Sequence, residues 1–263
     1  MLTIYVVSCD VDNIGSQNMV LAEIGEFFID QGIDFQTLQM SDKISQKWLK
    51  SVNSGSLLLD KHNMYLIANA MKVSPNWQAL GSRIVKAGKK SELLLKSAKL
   101  SADKTVIDCT AGFGHDALIL ASTGAQVTMI EQNPLLYTLL KYEMKKMSGN
   151  PNWQKLLGRI CLKFGNAMTV LPNLTADLIY LDPMFPSDSY KSQVGKTMQI
   201  LHNLVTKPTF DDEIALLNLA KNQVNRSGCV LVKRPKSAPF LANVKPTQNF
   251  SNEVVRFDVY ADS

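Results

Sequence analysis

From residue 100 onward, short β-branched runs and amphipathic helical stretches take turns along the chain, and this alternation restricts the fold more than any other feature. Strand-like segments fall at Thr105–Asp108, Gln126–Glu131, Ile160–Phe164 and Ala176–Leu181, and again over residues 228–233 and 254–260. Helical spacing falls over residues 116–122, 134–147 and 211–225, with Pro134 suited to a first helical turn. Strands that alternate with helices form a mostly parallel sheet covered on both faces, and such a sheet takes its ligand beyond the carboxyl ends of its strands.

Before residue 100 the elements are shorter and mixed. Residues 4–8, 35–39 and 56–60 read as strands. Residues 16–29 read as a helix, with Leu21, Ile24, Phe27 and Phe28 on one side. Residues 63–71 are apolar and read as a helix, as do residues 91–100. The expected organisation is a small N-terminal α+β lobe over residues 1–83 and a main α/β domain over residues 84–263; a chain of 263 residues suits that division.

Charge and composition exclude several classes. The net charge of +5 is mildly basic, so a polyanionic partner is permitted but not demanded. Cys9, Cys109, Cys161 and Cys229 are scattered, as are His62, His115 and His202, which argues against a disulfide framework or a metal site and for buried free thiols. The apolar opening, Met1 to Val7, is short and carries no basic leader, and no apolar run approaches the roughly 18–20 residues of a membrane span. A cytoplasmic protein without membrane contact is expected.

The first candidate motif is the stretch from Val106 to Ala117, a strand running into a turn that holds Gly112 and Gly114, then a helix. Glycines there allow positive φ and close approach of backbone to a ligand. Gly112-x-Gly114-x-x-Ala117 also satisfies the dinucleotide pattern, and Glu131, ending the next strand, would bind ribose hydroxyls in either case. Two details favour S-adenosylmethionine over NAD: Asp108 to Ala111 intervene between the strand end and the glycines, and the Asp108 carboxylate suits a cationic ligand while repelling a pyrophosphate.

The second motif is Asp182-Pro183-Met184-Phe185-Pro186, delivered by the strand Ala176–Leu181 to the same edge. The Asp182 carboxylate accepts hydrogen bonds from an exocyclic amine, the prolines stiffen the loop, and Phe185 offers a face for an extruded base. Aligning nitrogen, methyl and sulfur then suffices, because a sulfonium is a reactive methyl donor. Lys233 and Arg234, at the end of the next strand, suit phosphate or base-edge contacts, and Arg83 lies in a basic stretch with Lys86, Lys89 and Lys90.

These segments, together with Glu131-Gln132-Asn133-Pro134, Val232-Lys233-Arg234-Pro235 and residues 256–261, resemble in order and content the RsmJ family of bacterial small-subunit ribosomal RNA guanine-N2 methyltransferases. The resemblance covers residues 100–263 well, residues 55–100 loosely and residues 1–55 hardly at all. It implies a class I, Rossmann-like methyltransferase fold with a mostly parallel seven-stranded sheet, S-adenosylmethionine as donor with S-adenosylhomocysteine as product, no metal, and ribosomal RNA or the small subunit as partner. Carried over residue by residue, the donor contacts fall at His115, Asp116, Glu131, Gln132, Asn166, Ala167 and Asp182. The chain departs from the family at His115 and Gln132, where arginines are usual, and at Asn166 and Ala167, where serines are common. The alternatives are an amine methyltransferase acting on another RNA or DNA base, an NAD-binding oxidoreductase, and a catalytically idle ribosome-assembly factor.

Overall fold

The computed structural model describes residues 1–7, 11–40, 44–86, 92–183, 200, 204 and 207–261. The chain divides into two compact units, residues 1–76 with 134–146, and residues 77–133 with 147–263.

The first unit is built on a five-stranded sheet: β1 (Leu2–Val7), β2 (Phe35–Met40), β3 (Ser56–Leu59), β4 (Met64–Ala68) and β5 (Met71–Val73), in the order β2-β1-β3-β4-β5. β1 runs parallel to β2 and β3, while β3, β4 and β5 form an antiparallel meander. Helix α1 (Val11–Asp30) returns the chain from β1 to β2, and α2 (Gln46–Ser51) is capped by the Ser45 hydroxyl. Alternation sorts the strands: Leu58 and Ile67 pack with Met40 and Leu49, against which Tyr5 and Trp48 are laid, while Ile4, Val6, Leu57 and Leu59 are buried at the alternate positions.

Residues 63–71, expected to be helical, form β4, a two-residue turn and the start of β5. Ala68 pairs with Met71, so Asn69 and Ala70 are the turn, at φ 51° and 57°. Both central residues at positive φ define the hairpin turn whose twist matches its strands. Asn-Gly usually announces such a turn; alanine in the second place hides it.

The second unit carries a seven-stranded sheet. Its strands are β6 (Thr105–Asp108), β7 (Gln126–Glu131), β8 (Ile160–Phe164), β9 (Ala176–Leu181), β10 (Val224–Pro235), β11 (Gln248–Ser251) and β12 (Val255–Ala261), in the order β11-β12-β10-β9-β6-β7-β8. Strands β6 to β10 pair in parallel, and β12 inserts antiparallel between β10 and β11. Its helices are α3 (Gly81–Lys86), α4 (Leu93–Ala98), α5 (His115–Ala121), α7 (Pro151–Leu157), α8 (Ala167–Val170) and α9 (Phe210–Gln223); α6 (Pro134–Ser148) gives its residues 134–146 to the first unit. The Thr209 hydroxyl and the Asp212 carboxylate close a capping box at the start of α9.

One face of this sheet buries Ile107, Ile179, Val230 and Val232 against Leu217 and Ala220 of α9, with Leu171 and Leu241 from two short 3-10 turns. The strands at 126–131, 160–164 and 176–181 lie where the alternation predicts them, and the mostly parallel seven-stranded α/β architecture is as expected. Of the described thiols, only Cys109 meets the expectation of burial; Cys161 is exposed and Cys229 half-buried, because β8 is an edge strand and Cys229 lies where β10 shifts register. Cys9 lies outside the described residues.

Candidate active site

Parallel strands carry their last residues to one edge, and here the edge is acidic. Asp108 ends β6, Glu131 ends β7 and Asp182 follows β9 directly. Between β6 and α5 the chain turns through Gly112 at φ 55° and Gly114 at φ 72°. A side chain at Gly112 would have open space before it, its nearest neighbour being the Thr110 carbonyl at 3.8 Å, so the positive φ and not crowding calls for glycine.

The turn is held from several sides. Glu131 accepts the Gly112 N–H at 2.8 Å on one oxygen and the Asn133 N–H at 2.8 Å on the other. Asp108 accepts the Thr110 N–H at 3.0 Å, and the Thr110 hydroxyl accepts the Asp182 N–H at 2.7 Å, which joins the end of β9 to the glycine turn. The indole N–H of Trp77, a fully buried residue, donates to the Phe113 carbonyl at 2.7 Å. Burial pushes the Asp108 carboxyl up to about 8. Burial also raises Glu131, to about 7, despite the backbone N–H groups it receives.

A second network lies at the ends of β9 and β10. Lys233 donates to Asp116 at 2.7 Å and to Asp182 at 2.9 Å, and the Tyr180 hydroxyl donates to the same Asp116 oxygen at 2.7 Å. Burial alone would raise the Asp116 carboxyl; the Lys233 ammonium and the Tyr180 hydroxyl outweigh it and hold the group below the ordinary aspartate value. Burial likewise opposes charge on Lys233, and the two carboxylates overcome it, keeping the amine above the usual lysine value. Burial, then Asp116, pushes Tyr180 well above the usual tyrosine range.

The other expected site residues divide clearly. The exposed Gln132 accepts the Asn166 side-chain N–H at 2.9 Å, and Asn166 caps α8 through the Met168 N–H, with Ala167 the first residue of that helix. His115 opens α5. Pro183 is buried; Phe185 lies outside the described residues, as do Lys89 and Lys90. Arg83, half-exposed on α3, grips Glu92 through two bonds of 3.0 and 2.8 Å, and its charge reaches Asp116. Arg234 corrects the expectation of an RNA contact: its guanidinium is 2% exposed and held by Glu213 of α9 and the Pro239 carbonyl. The pleat explains it, since Arg234 shares the face of Val230 and Val232, under α9, whereas Lys233 faces the other way. Thr110, Tyr180 and Trp77 were not singled out from the sequence. Tyr180 had a signal, two residues before Asp182 on the same strand face.

Four acidic side chains, Asp108, Asp116, Glu131 and Asp182, line this edge with the ammonium of Lys233 among them, Asp108 and Glu131 giving up their protons only near neutral pH and above. An anionic pyrophosphate is repelled by such a set, and a ligand carrying a sulfonium and an ammonium is attracted. Among the described residues no group of three or more His, Cys, Asp and Glu side chains is arranged to hold a metal ion. The strand order, the glycine turn and the acidic edge together define a class I methyltransferase fold with an edge suited to a cationic methyl donor.

Comparison with known proteins narrows that class. Residues 35–262 match the family described as "Putative SAM-dependent methyltransferase". Ribosomal RNA small subunit methyltransferase J of Psychrobacter arcticus is 46% identical over 245 residues, spanning 83% of each chain. The protein of the same name from Acinetobacter baumannii is 36% identical over 236 residues, spanning 85% of this chain and 84% of its own. Among solved structures, a SAM-dependent methyltransferase from Neisseria gonorrhoeae is 28% identical with a TM-score of 0.70, over 98% of this chain and 95% of that one. The chain therefore belongs to the SAM-dependent methyltransferase family, and the donor is S-adenosylmethionine, not NAD.

Proposed function

We propose that this enzyme methylates the exocyclic N2 amine of a guanine in small-subunit ribosomal RNA, in the cytoplasm, on the RNA itself or on the small subunit. The observation that supports this reading is the Asp182 backbone N–H bonded to the Thr110 hydroxyl at 2.7 Å, a bond that ties the chain at Asp182 to the glycine turn. The relatives named as ribosomal RNA small subunit methyltransferases support the choice of acceptor.

In this reading the glycine turn at Gly112 and Gly114, with Asp108, His115 and Asp116, receives the amino-acid end of the donor. Glu131 and Gln132 receive its ribose, and Asn166 and Ala167 its base. The donor supplies an electrophilic methyl on a sulfonium. Asp182 accepts an N–H of the guanine amine and turns the nitrogen lone pair toward the methyl group. Pro183 restricts the backbone there, and Phe185 stacks on the base. Arg83 contacts the RNA. Residues 1–76 with 134–146 serve as the N-terminal lobe and residues 77–133 with 147–263 as the methyltransferase domain.

Nucleoside mass spectrometry of ribosomal RNA from a strain lacking the gene tests this. N2-methylguanosine at one position is expected to disappear and to return with the wild-type gene. Asp182→Ala is expected to lower transfer by about 100-fold or more while the protein still folds, since alignment is the main catalytic contribution. A folded Asp182→Ala protein with wild-type turnover, or loss of a methylated adenine or cytosine instead, overturns the proposal.

A further inference from the structure

We propose that Lys233 is a positioning residue for methyl transfer: its ammonium, shared between Asp116 and Asp182, holds the Asp182 carboxylate where it meets the target amine. This rests on the role given to Asp182 above and adds a residue that the glycine turn and target loop do not contain.

The placement follows from strand register. Val232 pairs with Leu181 in the parallel β9–β10 ladder, so the next residues, Lys233 and Asp182, come level at the edge. Leu231 pairs with Tyr180 one step earlier, and Tyr180 pairs with Asp108 on its other side. In-register neighbours share a face. Lys233, Tyr180, Asp182 and Asp108 therefore stand on the same face of the sheet, and Asp116 approaches from α5. Lys233 bonds the second oxygen of each partner, at 2.7 Å to Asp116 and 2.9 Å to Asp182.

Charge decides between this role and a phosphate contact. Two carboxylates against one ammonium leave a net charge of about −1 at the lysine tip, so an RNA phosphate gains nothing by approaching it. Asp108 adds to that balance from β6 when ionised, while the positive charge that Arg83 brings toward Asp116 from α3 is offset by the Glu92 carboxylate it grips. Without the ammonium, Asp116 and Asp182 would confront each other as like charges, and one would take up a proton or swing away. Asp116 follows the glycine turn and Asp182 carries the acceptor, so a single cation ties the donor side of the site to the acceptor side. The Tyr180 hydroxyl fixes the far end of the bridge.

Lys233→Met and Lys233→Arg, assayed with S-adenosylmethionine and ribosomal RNA, test the proposal. For Lys233→Met, kcat is expected to fall about 10-fold or more with the KM for RNA within about 2-fold, because an aligning contact is lost and not a binding one. The acid limb of the kcat profile is expected to move upward by about one pH unit as the two carboxylates lose their shared cation. Lys233→Arg keeps the charge and is expected to keep the acid limb. RNA affinity and its salt dependence are expected to stay at wild-type values. Should the methionine variant not fold, Lys233→Gln gives the same readouts. A wild-type kcat and acid limb in the neutral variants overturns the proposal. So does an unchanged kcat with a salt slope reduced by about one contact, the mark of a phosphate ligand. Asp182→Ala in parallel separates the two claims: a dead Asp182→Ala beside a wild-type Lys233→Met refutes only the positioning role, whereas an active Asp182→Ala refutes the role of Asp182 itself.

Discussion

Lys233 and Arg234 are adjacent cations with opposite surroundings. A strand turns consecutive side chains to opposite faces, so two charges in sequence cannot both serve one site. Arg234 lies under α9, where both Glu213 oxygens and the Pro239 carbonyl receive its donors, and Glu213 in turn accepts the Ala242 N–H at 3.0 Å. Burial lowers the guanidinium's affinity for its proton and Glu213 partly restores it. Removing one partner of a buried pair strands the other, at a cost of about 3 kcal/mol where the survivor still reaches some water. Arg234→Met is therefore expected to lower the unfolding free energy measured by urea titration by that amount and to leave RNA affinity and its salt slope unchanged. A stable Arg234→Met protein with weakened RNA binding would restore the arginine to the surface role its neighbours in sequence suggest.

Elements differ in how far their signals are local. The strands at 126–131, 160–164 and 176–181 were legible because each is a β-branched or apolar run bounded by turn residues, and 126–131 and 176–181, inside the parallel part of the sheet, need little else. The edge carboxylates Asp108, Glu131 and Asp182 were legible for the same reason, since a strand end is where a parallel sheet presents a ligand site. The β4–β5 hairpin was not legible, because its turn conformation is imposed by pairing on either side and not by its own residues. Trp77 was equally hidden: its bond to the Phe113 carbonyl spans 36 residues, and nothing local marks it. Short helices such as α8 escape periodicity altogether, having too few turns to show it. The hairpin leaves a measurable trace. Ala70 at φ 57° holds a conformation that costs an L-residue about 1 kcal/mol and costs glycine little. Ala70→Gly is expected to stabilise the protein by about 0.5 kcal/mol, the difference being the extra freedom glycine has when unfolded. A loss of stability on that change, in a denaturant titration, would mean that the turn is not strained at Ala70.

For the molecule as a whole, burial of the acidic edge makes stability depend on pH. Asp108 at about 8 and Glu131 at about 7 lie far above their ordinary values of 3.8 and 4.5, both chiefly through burial. Between those limits the folded protein retains protons that the unfolded chain has released. Stability therefore falls as pH rises through the window, by up to about 1.4 kcal/mol per pH unit for each group. Asp177, lowered to about 2 mainly by the Thr105 backbone N–H, has the opposite sign, but its contribution is complete above pH 4 and does not offset the loss. The ligand-free enzyme is thus expected to melt at lower temperature at pH 8.5 than at pH 6, and Asp108→Asn to flatten the dependence. A cationic donor favours the ionised carboxylates, so its affinity is expected to rise over the same window, with protons released on binding that calorimetry in buffers of different ionisation enthalpy would register. Stability that is flat from pH 6 to 8.5 in both wild type and Asp108→Asn would show that neither carboxyl is held protonated in the folded protein, and the donor would then be drawn by charges already present before it arrives.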